Sequence, residues 1–323
     1  MRNIVSALCC ALAAICMSAG VVLHYVQTLA DQAGPAREIV GALADDKNVV
    51  NLLPEKILGA AFDQGSLQDL IPVFLKNSLR EGMDSVLTGA LSDPGFRDAW
   101  HQSIDETRSS YVTRLEMINS GEISVPAPNF GAADIAGPTL VLEARPFAAL
   151  GIQKLDDLLR PVGLASVLDG LRNGGAVEIP LNLPDPHVVS PRTMAWWLAV
   201  SKQWLWLYVA AGVLLLVGVF FGRGRGKAVS VLVGAAVLLI LSRVVAMWAS
   251  DARAGGDAIG LGGQLDPFAS VVRDRLLAGL AGHLDIRTEW LWNAGLIGAI
   301  VGAVFLLLLM LTSRSRRSAT LSR

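Results

Sequence analysis

Four long apolar runs interrupt an otherwise mixed chain: Ile4–Val26, Leu205–Phe221, Ala228–Met247 and Leu291–Leu311. A helix needs about 20 apolar residues to cross the hydrocarbon core of a bilayer. Only a helix can do so alone, because it pairs its own backbone groups. The runs therefore predict four transmembrane helices, assigned with their flanks to 1–30, 204–222, 228–249 and 290–312. Between them lie a polar-apolar segment at 31–203, a short basic turn at 223–227, a loop at 250–289 and a basic tail at 313–323. The fold class that follows is an α-helical membrane protein with four transmembrane helices and a mainly α, minor β, extracytoplasmic domain.

Within 31–203 the pattern changes period. Leu67, Leu70, Ile71, Phe74, Leu75, Met83, Val86, Leu87 and Leu91 recur at helical spacing. Asp93 and Pro94 mark a new helix start, Phe96, Trp100, Ile104, Tyr111, Leu115 and Ile118 form its stripe, and Gly121 ends it. Thr139–Glu143 and Ala176–Leu181 read as short strands flanking a helix over Phe147–Arg160. Pro180, Pro184, Pro186 and Pro191 predict a stiff extended connector into the second span. In the 250–289 loop a Gly-rich first half precedes an amphipathic helix opening at Asp266-Pro267, with Phe268, Val271, Val272, Leu276, Leu277, Leu280 and Leu284 on its apolar face. That helix carries acids as well as bases, which favours packing on the main domain over lying in the membrane surface.

Charge orients the spans. Arg2, Arg223, Arg225, Lys227, Arg314, Arg316, Arg317 and Arg323 fall on one side, with no acidic residue among the same segments. By the positive-inside rule this side is the cytoplasm, with both termini on it. Trp196, Trp197, Trp204, Trp206, Trp248, Trp290 and Trp292 gather at the opposite ends, where an aromatic belt belongs.

Composition adds constraints. Charged residues make up 17% of the 323 and hydrophobic ones 53%, against about 25% charged in soluble domains. Cys9, Cys10 and Cys16 are the only cysteines, all in the first run, so no disulfide holds the large domain. The Arg, Ala, Gly and Val bias fits a high-GC bacterial genome. The first run is long for a signal peptide and lacks a clean small-x-small site near Ser18-Ala19-Gly20. Ile15 before Cys16 does not make a lipobox. An uncleaved signal-anchor is expected.

The segments SDPGFRDAWHQSIDETRSSYVTRL, GPTLVLEARPF and GAVEIPL, followed by three spans, resemble an uncharacterised family of actinobacterial multi-pass membrane proteins. Its members have an anchor, an outer helical domain with a Ser-Phe-Trp stretch (here Ser92, Phe96 and Trp100) and a hydrophobic C-terminal half. The resemblance implies this architecture and no activity, cofactor or catalytic residue. Members often carry a His a few residues beyond the Trp, whereas His101 follows Trp100 directly.

Chemical signatures are few. His101 has Arg97 one helical turn before it and Asp105 one turn after. A His–carboxylate pair can act as general base or metal ligand, but a site needs further converging groups. An exposed helix face explains the same spacing. His187, in the connector, and His283 carry the same two readings, and His24 falls at a membrane interface. Arg243 is the one charge within a span and so a functional candidate. It lies near the span's outer end, where it can snorkel to headgroups or pair with Glu289 or Asp251. Ala294, Gly298 and Gly302, with Gly218 and Gly222, allow close helix contact within one chain or between two. No zincin, hydrolase, Walker or EF-hand motif occurs. Gly260, Gly262 and Gly263 read as linker, and Asp251, Asp257 and Asp266 are too far apart for a compact calcium loop. No cofactor, metal or nucleic-acid partner is expected.

The spans lack the midplane charges and broken helices of transporters. The expected function is a binding or scaffolding protein of the bacterial cell envelope, non-catalytic, working through its extracytoplasmic domain. The alternatives are a membrane-associated enzyme or lipid-handling protein, and an oligomeric transporter component. The expected partners are the lipid bilayer and another membrane or envelope protein.

Overall fold

The structure, a computed structural model, describes residues 2–53, 56, 89, 93–124, 140–147, 149–150, 178–181, 190–255 and 267–320. The stripe from Leu67 to Leu91 lies outside these, apart from position 89. So do most of the helix expected over Phe147–Arg160, the connector around Pro184, Pro186 and His187, and the Gly-rich stretch 256–266. The elements are α1 (Arg2–Asp31), α2 (Ala33–Gly41), a 3-10 turn (Ala42–Asp45), α3 (Phe96–Ser120), β1 (Val141–Glu143), β2 (Glu178–Pro180), α4 (Pro191–Ser201), α5 (Trp204–Phe221), α6 (Arg225–Arg253) and α7 (Pro267–Thr320).

Four of these helices are long and apolar enough to cross a membrane: α1, α5, α6 and α7 as far as Leu308. The chain is mostly helical and fits a membrane protein. It divides into two compact units, one of Met1–Thr28, Ala199–Arg253 and Leu280–Arg323, the other of Leu29–Leu198 and Ala254–Gly279.

Inside the span unit, small residues set the packing. A Cβ on Gly218 of α5 would stand 2.6 Å from Cys10 Sγ and 3.1 Å from the Ser6 carbonyl of α1. One on Gly234 of α6 would stand 3.0 Å from the Cys10 carbonyl. The backbones of α5 and α6 thus approach α1 where each lacks a side chain, as helices in lipid tend to do. The Ser6 hydroxyl reaches the Gly218 carbonyl and lies 2.7 Å from Ser230 Oγ, whose own proton goes to the Gly226 carbonyl. Between α6 and α7 the contact runs antiparallel: Gly295 against Leu239, Gly298 against Ala235, Gly302 against Leu232. Gly298 and Gly302 of the expected stripe lie on this contact, and Gly295 joins them. Large apolar side chains such as Ile4, Leu8, Phe220, Ile240, Ile297 and Ile300 face outward, as expected where lipid is the solvent.

In the other unit a core forms on α3. Phe96, Trp100 and Ile104 are buried with Leu43, Val49, Leu53, Phe147, Phe268 and Val272. β1 and β2 pair antiparallel with Leu142 opposite Ile179, both buried. Two hydroxyls one turn apart on α3 hold β1: Ser103 donates to the Glu143 carbonyl, and Thr107 Oγ1 accepts from the Glu143 N–H at 2.9 Å. A smaller cluster joins Ala30, Leu115, Ala195 and Leu198, with Tyr111 and Met194 packed against it.

Three element boundaries differ from the sequence reading. Asp93 does not cap α3 itself; its carboxylate accepts from the Gly95 N–H at 2.8 Å in a local turn, and the helix starts at Phe96. Pro191 is not part of an extended connector but opens α4, capped by Ser190, whose Oγ accepts from the Thr193 N–H at 3.2 Å. The amphipathic helix, the fourth span and the start of the basic tail form one continuous helix, α7. No proline interrupts it, and the glycines 279, 282, 295, 298 and 302 weaken a helix without ending it. Gly121 does end α3, at φ +83°, a backbone conformation that costs glycine nothing.

Candidate functional site

The helix face carrying Arg97, His101 and Asp105 arises because residues four apart share one side of α3. That side meets α2 and the 3-10 turn. Asp105 pairs with Arg37, through Nη2 and through Nε at 3.2 Å. Arg97 pairs with Asp45 at 2.9 Å. Between these pairs, a Cβ on Gly41 would stand 3.6 Å from His101 Nε2, so the imidazole rests over a bare backbone. Each pair of positions sums to the same value, as two antiparallel segments in register require. One residue before His101, Trp100 donates its indole N–H to the Val40 carbonyl at 3.1 Å. Asp105 therefore spends its carboxylate on Arg37, not on His101. The local spacing that marked a His–carboxylate pair belongs to a seam between helices.

Arg243 lies elsewhere, in the span unit. It is exposed, and its guanidinium carbon stands 5.8 Å from the ring centroid of Trp292, a cation–π arrangement. The two residues border a cleft of about 380 Å³ between α6 and α7, which Glu289, Asp285, Ser242 and Thr288 also line. Asp285 pairs with Arg253 at 2.5 Å. Ser242 and Thr288 give their protons to carbonyls of their own helices, Leu239 at 2.9 Å and Asp285 at 2.8 Å. Arg243 and Glu289 form no ion pair among the described residues. Of the two acids considered for Arg243 from the sequence, Glu289 shares its cleft and Asp251 is not among the lining residues.

The other two described histidines sit among aromatic rings. His24 stacks on Trp204 with centroids 4.1 Å apart, and His283 stacks on Tyr25 at 6.4 Å. Arg287 stands 5.3 Å over the opposite partner of that stack, Tyr25, whose hydroxyl is buried without a hydrogen-bond partner. Among the described residues no three His, Cys, Asp or Glu side chains converge as a metal centre requires.

The partners Arg37, Gly41 and Asp45 were not singled out by the sequence, and Trp292 was marked only as part of the aromatic belt. Each lies far along the chain from the residue it meets, and only the register between two helices brings them together. The one local signal was that of a charge inside an apolar run, which marked Arg243. The chain matches no protein-family model, no curated protein and no solved structure.

Proposed function

We propose that this chain is a non-catalytic binding or scaffolding protein of a bacterial cell envelope. Its four spans anchor it, its termini lie in the cytoplasm, and the unit built on α3 works outside. The observation that carries this reading is the seam just described. Of the polar groups of α3 that sequence alone would offer to catalysis, Asp105 is committed to Arg37 of α2, and His101 lies over Gly41 with no carboxylate to pair with among the described residues. The membrane orientation rests on the eight basic residues of one side and the tryptophan belt of the other.

In-cell crosslinking followed by mild-detergent purification and mass spectrometry tests the function. A stoichiometric protein partner crosslinked through the α3 unit is the expected result. Hydrolysis of an envelope lipid that His101→Ala abolishes would overturn the non-catalytic reading. A reporter fused after Arg323 that reads out as external would overturn the orientation.

A further inference from the structure

The cleft between α6 and α7 holds two opposite charges that the protein leaves to something else. Arg243 has its ring partner, Trp292, on one face only, so the N–H groups around its edge remain available. Glu289 is exposed across the same cleft. The third charge, Asp285, is already held by Arg253. At about 380 Å³ the cleft falls in the range of small-ligand sites, about 300–1,000 Å³. Large exposed apolar residues lie beside it along both helices: Val244, Met247 and Trp248 on α6, Ile286 and Trp290 on α7. A ligand with a charged head and hydrocarbon chains suits these surroundings better than a water-soluble ion.

We propose that this cleft binds a phospholipid headgroup bearing both a phosphate and a primary ammonium. Arg243 takes the phosphate and Glu289 the ammonium. A guanidinium presents several N–H donors in the geometry that phosphate oxygens accept, and a carboxylate accepts from the ammonium N–H groups. The alternatives fit less well. A trimethylammonium head has no N–H for Glu289 and is best held by an open aromatic face. Trp292 already has Arg243 over its ring. A net-negative head leaves Glu289 beside a like charge. This inference requires that α6 and α7 cross a membrane, but not that any particular end faces outward, nor that the chain binds a protein partner.

Native mass spectrometry of the delipidated full chain in detergent tests it, with phosphatidylethanolamine, phosphatidylcholine and phosphatidylglycerol supplied in equal amounts. The expected result is retention of the ethanolamine lipid over the other two by roughly fivefold or more, the scale of one charge-assisted contact. Arg243→Ala lowers retention of that lipid by roughly tenfold, and Arg243→Lys restores part of it. Glu289→Gln, a change of one exposed group with the same shape, abolishes the preference while retention of the choline lipid stays. Equal retention of the three lipids, or a preference that survives Glu289→Gln, overturns the proposal. Free phosphoethanolamine captured as tightly as the lipid would assign the cleft to a soluble ligand and overturn the lipid source.

Discussion

Trp100 donates its indole N–H to the carbonyl of Val40, 3.1 Å away, while its ring is 1% exposed between Phe96 and Phe147. One side chain thus fastens α2 to α3 by a polar bond and fills the centre of the same core. The two contributions separate by substitution. Trp100→Ala removes both and is expected to cost about 3–5 kcal/mol. Trp100→Phe keeps most of the ring and loses only the indole bond to the Val40 carbonyl, which still accepts from the Ala42 N–H, at about 0.5–1.5 kcal/mol. Denaturant melts of the purified chain, followed by limited proteolysis between α2 and α3, read the order. Equal effects from the two variants would refute the assigned hydrogen bond.

Arg37 and Asp105 sit at one end of the α2–α3 seam, with Arg97 and Asp45 at the other. Both pairs are largely solvent-accessible, so their stabilities are small and their value lies in register. Asp105→Arg places two cations together and is expected to speed protease cutting near α2. Adding Arg37→Asp to the same chain exchanges the charges and should restore resistance. His101→Ala is expected to change neither protease resistance nor any activity of the chain. A double exchange as sensitive as the single one would show that the pair does not form.

These same residues show how far sequence reaches. The spans were legible because hydrophobic runs near 20 residues have one physical use. The core stripe of Phe96, Trp100 and Ile104 was legible because helical periodicity is local. What Asp105 pairs with was not, since spacing on one helix proposed His101 while the actual partner lies 68 residues away on another. That one helix carries both the amphipathic segment and the fourth span was not legible for a related reason. Glu289 and Trp290 look like a membrane boundary, and they are one in composition, but a polar boundary does not unwind a helix that has no proline and pairs its own backbone. Likewise, the sequence did not show that Gly295 faces Leu239.

Close approach makes glycine substitutions in the spans unequal. A side chain at Gly218 meets Cys10 Sγ at 2.6 Å and the Ser6 backbone at 3.1 Å, so α1 must move. Gly212, on the same helix, has nothing within 4 Å. Gly218→Val is therefore expected to lower the temperature at which the chain leaves a monodisperse detergent peak, by several degrees for a loss of about 1–3 kcal/mol. Gly212→Val should leave it near wild type. If the two variants behave alike, the packing of α1 against α5 is not as described.

Tyr111 links the fold of the α3 unit to alkaline pH. Its hydroxyl is 2.9 Å from Met194 Sδ, among Leu115, Ala195 and Leu198. Burial there penalises the phenolate and pushes its pKa from 10.0 up to about 12. A proton that the folded state holds more tightly than the unfolded one stabilises the fold fully below the unfolded pKa, and this contribution fades as pH rises through the folded one. The window is therefore pH 10 to 12. Phenolate absorbance of the wild type minus that of Tyr111→Phe should titrate near the upper end of that window while the chain is folded. After unfolding in denaturant the same difference should titrate near the lower end, and stability should decline less steeply with pH in the Phe variant. A difference titration already centred on the lower end in the folded chain would place Tyr111 in water and dissolve the cluster that joins α3 to α4.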